Sequence, residues 1–187
     1  MKEIHGGTVE KVGMGLVCAV EMYKGCSMKI VNRTLGFNGL STNLNGNQRK
    51  IELKTMHRSD YWISINGFTA IEKLFFDEHY WIYFAIVPEN IVVMVKALPF
   101  IEKQLALDDN TGYLKDLENW IKQTKNVSKK SGLKIFPKIN VRFSAPLRKV
   151  IEQVKAETLH ESWESSIAEI WELRGSWKKI YQSSKIF

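Results

Sequence analysis

The stretch Arg49-Lys50-Ile51-Glu52-Leu53-Lys54-Thr55 places a carboxylate and an ammonium two residues apart. Read as a strand, it sets Glu52 and Lys54 on one face and Ile51 and Leu53 on the other, because alternate side chains point the same way. A carboxylate and a lysine fixed side by side suit one kind of chemistry: the carboxylate holds a divalent cation, and the lysine orients or polarises water bound to it. By itself Glu-X-Lys is common on solvated strand faces. Two further polar residues give this one weight: Asn38, after Gly36-Phe37, and Glu10, near the start of the chain.

The elements that position these residues follow from patterning. From Glu3 to about Tyr23 the apolar residues Val9, Val12, Leu16, Ala19, Val20 and Tyr23 recur at three and four, which predicts a helix with one buried stripe. Glu10 lies beside that stripe, and Glu21, eleven residues on, falls almost on the same line. Glycines 6, 7, 13 and 15 weaken the helix but allow close approach to a sheet, and Gly25 is a natural stop. Met28–Arg33 and Gly36–Asn43 read as strands. The Asn-Gly turn in Asn43-Leu44-Asn45-Gly46-Asn47 joins the second of these to the Glu52 strand as an antiparallel hairpin, bringing Asn38 near Glu52. Tyr61–Ile65 either continues the sheet or forms a short edge, Phe68–Phe76 is helical, and the almost wholly apolar runs Tyr80–Val87 and Ile91–Val95 are buried strands. This order predicts an α/β fold: a mixed central sheet of about five strands flanked by helices.

Beyond Pro99 the pattern predicts short helices at Phe100–Leu107 and Tyr113–Lys125, and one or two strands around Pro137 within Leu133–Phe143. A long helix starts at Ser144-Ala145-Pro146, its apolar residues Val150, Val154, Leu159, Trp163, Ile167, Ile170, Trp171 and Trp177 running up to the Gly175-Ser176 break. The chain thus divides into a core over 1–98 and a basic, helical C-terminal region over 99–187, the two belonging to one compact domain or forming separate parts.

With 187 residues, 44% hydrophobic and 25% charged, the composition is that of an ordinary globular protein. No apolar run is long enough for a membrane span and no apolar leader opens the chain. Cys18 and Cys26 make neither a disulfide framework nor a zinc spacing, so the expectation is a cytoplasmic, intracellular protein without membrane partners. The net charge of +7 is unevenly spread. Between Asn119 and Ile151 there is no acid, while Lys122, Lys125, Lys129, Lys130, Lys134, Lys138, Arg142, Arg148 and Lys149 supply nine cations. Removing these from the 27 Lys and Arg leaves 18 against 20 Asp and Glu. With Trp120, Phe136 and Phe143 interleaved, the segment suits a polyphosphate groove with stacking surface, or else a solvated basic face with no ligand.

Gly7-Thr8-Val9-Glu10-Lys11, Gly36-Phe37-Asn38, Ile51-Glu52-Leu53-Lys54-Thr55, Trp62-Ile63-Ser64 and the apolar Tyr80-Trp81-Ile82-Tyr83 together resemble the PD-(D/E)XK nuclease superfamily, the restriction-endonuclease-like fold. The likeness is to a branch that combines a helix Glu, a strand with Gly-Tyr-Asp, and an Ile-Glu-Val-Lys strand followed by Trp-X-Ile/Leu-Ser/Thr. It covers about the first hundred residues. The resemblance implies a DNA endonuclease dependent on Mg2+ (or Mn2+). Glu52, Asn38 and the backbone carbonyl of Leu53 would hold the metal, Lys54 would position the attacking water, and Glu10 would support the site. DNA would lie on Lys122, Lys125, Lys129, Lys130, Lys134, Lys138 and Arg142, and a homodimer would supply the two sites needed to cut both strands.

One position departs from the family: its metal-binding Asp falls on Asn38. An amide oxygen ligates without charge, so cation affinity and the acidity of bound water both fall. Three accounts are open. The chain keeps DNA binding without cutting, the Asn was engineered to trap a complex or to permit expression of a toxic nuclease, or another carboxylate such as Glu21 replaces the charge. The residues also have plainer readings: Glu10 as an exposed helix acid, Asn38 as a strand-end residue satisfying backbone groups, His57 and Asp60 as loop residues, and Trp163, Ile167 and Trp171 as core or dimer contacts. An assembly protein docking a partner through its C-terminal helix is a further alternative.

Overall fold

A computed structural model describes residues 6–56, 62–66, 68–107, 115–116, 118–119, 121–123, 138–142, 168–174 and 176–183. Helix α1 (Gly6–Tyr23) is followed by β1 (Ser27–Ile30), β2 (Gly39–Thr42), β3 (Gln48–Met56), β4 (Trp62–Asn66), α2 (Phe68–Phe76), β5 (Tyr80–Ile86), β6 (Ile91–Lys96), α3 (Ala97–Leu107), β7 (Lys138–Arg142), β8 (Ala168–Arg174) and β9 (Ser176–Ser183). The main sheet runs β1-β2-β3-β5-β6-β8-β9. Among the described strands only β3 and β5 pair in parallel, the remaining neighbours being antiparallel. That parallel pair needs a crossover, and α2 lies within it.

The two faces have different cores. Val17 and Val20 of α1 cover Ile51, Leu53, Tyr83, Val92, Met94 and Trp171. Ala70, Ile71 and Leu74 of α2, with Phe100 and Ile101 of α3, cover Tyr80, Ile82, Phe84, Val93 and Val95. Strands β5 and β6 are therefore buried on both faces, which is why their sequences are continuous apolar runs. The parity of β3 is the one its sequence indicates: Ile51 and Leu53 face α1, while Glu52 and Lys54 face the α2 side.

The buried stripe of α1 is rotated from the predicted one. Val9, Gly13, Val17, Val20 and Glu21 are buried, whereas Val12 is 45% and Tyr23 54% exposed. Gly13 is a contact position, since a Cβ there would run into the side chain of Thr55. A pattern of apolar residues alone misses a face that includes a glycine and a buried acid. The helix stops where expected: Gly25 adopts φ 76 and the Cys26 N–H donates to the Glu21 carbonyl at 2.8 Å. In the β2–β3 turn, Asn43 Oδ1 accepts the N–H groups of Asn45 (3.0 Å) and Asn47 (2.8 Å), and Gly46 takes φ 85.

Three expectations need correction. β1 ends at Ile30, and Arg33–Leu35 is a single 3-10 turn. β4 neither continues the main sheet nor stands as its edge: it pairs antiparallel with β7 in a separate two-stranded ribbon. The long C-terminal helix does not extend over 168–174, which is strand β8, paired along β6 and followed by β9. Ile170 and Trp171 fit a helical stripe by spacing, but Trp171 is 3% exposed in the α1-side core of the sheet, and its burial there decides the conformation. The helical part of the C-terminal region is represented by α3 and by helical residues within 115–123. Residues 144–167 lie outside the described set.

Candidate functional site

The ladder between β2 and β3 ends at the pair Gly39 and Ile51, so β3 continues past its partner with an open edge. Asn38 sits at that point and carries the hydrogen bonding two steps further. Its N–H donates to the Ile51 carbonyl at 2.7 Å, and its side-chain Oδ1 accepts the Leu53 N–H at 2.7 Å. In a strand, the N–H and C=O of one residue point to the same edge. The Leu53 carbonyl therefore also faces the open side.

The approach to Asn38 is fixed by Gly36, which takes φ 78, a left-handed conformation that glycine adopts without strain. The Tyr80 hydroxyl donates to the Gly36 carbonyl at 3.0 Å. Burial raises the Tyr80 pKa far above that of an ordinary phenol, and Glu52 and Asp77 raise it further, so this group remains a donor.

Around this edge lies a cavity of about 280 Å³ lined by Glu10, Gly36, Phe37, Asn38, Glu52, Leu53, Lys54 and Ala70. Glu10 reaches it from α1, Asn38 from the turn before β2, and Glu52, Leu53 and Lys54 from β3. Lys54 Nζ donates to Glu52 Oε1 at 2.7 Å, so the two side chains do share a face and touch. Lys50, on the same face, is engaged elsewhere by Asp77 at 2.5 Å.

The residues lining the cavity include two with carboxylates, Glu10 and Glu52, and one with an amide, Asn38, beside the Leu53 carbonyl on the same edge. Hard oxygen donors of this kind, with few carboxylates, match the usual preference of Mg2+, which takes one or two acids and fills its remaining positions with water and phosphate. The donors thus fit the cation in kind. Asn38 contributes least: Oδ1 already accepts one N–H, and the other corner of its amide is a donor.

Glu21 does not substitute for the missing charge. Eleven residues make almost three helical turns, so Glu10 and Glu21 share a line on the helix yet lie about 16 Å apart along it. Glu21 is fully buried, accepting from the Tyr83 hydroxyl (3.0 Å), Lys24 Nζ (3.1 Å) and the Ser41 hydroxyl.

It belongs to a second cluster that sequence reading missed. Glu169 of β8 is also fully buried, held by Arg49 Nη2 at 2.7 Å, Lys24 Nζ at 3.0 Å and Trp171 Nε1 at 3.1 Å. Arg49 further donates to the Tyr83 hydroxyl at 3.3 Å, and its guanidinium lies 3.7 Å over the Trp81 ring. Burial alone would push the Glu169 carboxyl up, but Arg49 and Lys24 outweigh it and hold the group well below the ordinary carboxylate range. Two cations and two carboxylates thus close on one another. One signal was in the sequence: Arg49 has the parity of Ile51 and Leu53, so the strand that exposes Glu52 must bury Arg49.

The predicted DNA-contacting residues are spread over several elements. Lys122 is exposed and paired with Glu118 at 2.6 Å, and Lys138 and Arg142 lie at the two ends of β7. Lys125, Lys129, Lys130 and Lys134 lie outside the described residues, as do His57, Asp60 and Trp163. No helix among the described residues is long and apolar enough to cross a membrane. No protein-family model, curated protein or solved structure matches the chain.

Proposed function

We propose that the cavity at the open edge of β3 is a metal-dependent phosphodiester-hydrolysing site of the PD-(D/E)XK kind, acting on DNA and weakened by Asn38. One observation carries this reading: Glu10, Asn38, Glu52, Leu53 and Lys54, from three separate elements, line the same cavity. Glu52, Glu10 and the Leu53 carbonyl, with Asn38 Oδ1 as a weak fourth donor, would hold Mg2+ or Mn2+. When bound, such a cation supplies positive charge against phosphate oxygens and acidifies water.

The chain's own groups do the positioning. Glu52 fixes Lys54 through one N–H, leaving the ammonium's other donors for a phosphate oxygen or the attacking water. Asn38 holds the Leu53 peptide, and Tyr80 holds the Gly36 turn that presents Asn38. The exposed Lys122, with Lys138 and Arg142 of β7, offers charge for the DNA backbone beyond the cavity. An intracellular enzyme working as a homodimer, one site per strand, completes the proposal.

A second reading, a DNA-binding protein on this fold that does not cut, is favoured by the hydrogen bond from the Leu53 N–H to Asn38 Oδ1, which occupies the oxygen a metal would use. An Asp at 38 keeps that bond with one oxygen and frees the other. The test is cleavage of duplex DNA with Mg2+ or Mn2+ by this chain and by Asn38→Asp in parallel. The expected result is that Asn38→Asp cuts at least about 100-fold faster, about 2.7 kcal/mol of barrier. If neither protein cuts while both bind DNA, the binding reading replaces the hydrolytic one.

A further inference from the structure

The sheet carries a second cavity, near the start of β3 and on the face opposite Glu52 and Lys54. Helix α1, which covers this face, ends at Tyr23, and Lys24 just past it reaches the same Glu169 that holds Arg49. Where the helix gives out, a cavity of about 210 Å³ opens, with Gln48, Arg49, Glu78, His79, Trp81 and Lys96 in its lining. Register brings three of these together. Trp81 of β5 pairs directly with Lys96 of β6, so the two share a face, and Trp81 belongs to the α1-side core. Arg49 of β3 holds its guanidinium 3.7 Å over the Trp81 ring. Adjacent strands β3, β5 and β6 thus each give one side chain to the same wall.

The three groups differ in how far they are already engaged. Arg49 is 1% exposed and is held from within by Glu169 at 2.7 Å and by the Tyr83 hydroxyl at 3.3 Å. Its place is fixed before any ligand arrives, which removes an ordering cost from binding. Lys96, half-buried, has no carboxylate beside it among the described residues. Trp81 is 5% exposed, yet among the described residues nothing accepts its indole N–H, a group that ordinarily finds a partner when buried. The acid in the lining, Glu78, has a side chain 79% exposed and 3.5 Å from His79 Nε2, so solvent screens its charge. The wall therefore presents a fixed guanidinium, an ammonium without an acid and an indole N–H, all of them donors. Donor sets of this kind recognise oxyanions.

We propose that this second cavity binds a phosphate group, as the free ion or as the terminal phosphomonoester of a larger molecule whose remainder stays outside. Size narrows the ligand. The cavity is several times the roughly 30 Å³ that a water occupies in the liquid, but below the roughly 300 Å³ at which cavities for drug-sized ligands begin. Shape favours phosphate over carboxylate: a tetrahedral anion turns oxygens toward several donors at once, whereas the two oxygens of a carboxylate lie in one plane. The site is independent of the hydrolytic reading, since the two cavities lie on opposite faces of the sheet.

The experiment is titration calorimetry of the full chain with inorganic phosphate in EDTA, at constant ionic strength set by chloride. Saturable binding of one phosphate per chain is expected. Lys96→Gln and Trp81→Phe should each weaken it about tenfold or more, the usual worth of a hydrogen bond to a charged group, while Trp81→Phe keeps a ring under Arg49. Lys96→Arg should retain binding, and so should Lys29→Gln, which removes an exposed cation on the edge strand β1. Displacement of the phosphate by a DNA duplex with 5′-phosphates, but not by its 5′-hydroxyl counterpart, would identify a nucleic-acid end as the source. Displacement by neither would identify the free ion. Absence of saturable binding, equal affinity in the unaltered chain and Lys96→Gln, or equal displacement by the two duplexes would overturn the assignment and leave the reading of the first cavity in place.

Discussion

Two clusters of charge lie along the same strand, and they differ in what surrounds them. Arg49, at the start of β3, points toward α1 and is enclosed with Lys24, Glu21, Glu169 and Tyr83. Each carboxylate has three donors, and opposite charges balance within the cluster. Glu52 and Lys54, a few residues on, point to the other side at an edge that β2 has left. They pair with each other, keep 14% and 22% of their side-chain surface exposed, and border a cavity. Closure makes the first cluster a structural joint between α1, β3 and β8. The open edge leaves the second with donors and acceptors available to a ligand. The contrast shows that charge content alone does not mark a site: in the more heavily charged cluster the carboxylates are satisfied by one another's partners within the protein.

The sharpest way to break this contrast is to remove one member of the closed cluster. Arg49→Met leaves Glu169 short of a partner in the interior and should destabilise the protein by about 3–5 kcal/mol, read from urea midpoints. Arg49→Met combined with Glu169→Leu should cost less than Arg49→Met alone, since no unpaired charge is left buried. At the open cluster the balance should reverse. Glu52→Ala in the Asn38→Asp chain should lower DNA cleavage by about 100-fold or more, about 2.7 kcal/mol of barrier, while costing about 1 kcal/mol or less in stability. Equal destabilisation by Glu52→Ala and Arg49→Met would end the distinction.

Acid should act through the closed cluster. Glu169 is held below its unfolded value of about 4.3, so its contribution is complete above that pH and is lost as the pH falls toward the folded pKa. Stability should therefore decline from about pH 5 downward, and Glu169→Gln should flatten that decline while lowering stability at pH 7. The smallest expected effect is at the turn before Asn38. Gly36→Ala forces a Cβ into φ 78 and should cost about 1–2 kcal/mol, with a larger proportional loss in site function than in folding.

The composition of the candidate site was legible because it depends on short-range rules. The parity of β3 puts Glu52 beside Lys54, and the Asn-Gly turn sets Asn38 against the open part of that strand. The central sheet was legible for the same reason, β5 and β6 being apolar on both faces. The closed cluster was harder to read because its members are 120 residues apart, as in the bond between Arg49 and Glu169, and no local period connects them. The C-terminal strands were misread because Ile170 and Trp171 satisfy a helical spacing as well as a strand one. The ribbon was misread because neither β4 nor β7 announces its partner.

By itself, then, the sequence determined the alternation, turns and apolar runs that build β2, β3, β5 and β6 and that line up Asn38, Glu52 and Lys54. Each of these is fixed by steric and hydrophobic preferences acting within a few residues. Only the tertiary structure decided that Glu10 reaches the cavity while Glu21 does not, that Arg49 meets Glu169, and that β4 pairs with β7. Those outcomes depend on which surfaces are buried together, a property of the packed chain as a whole.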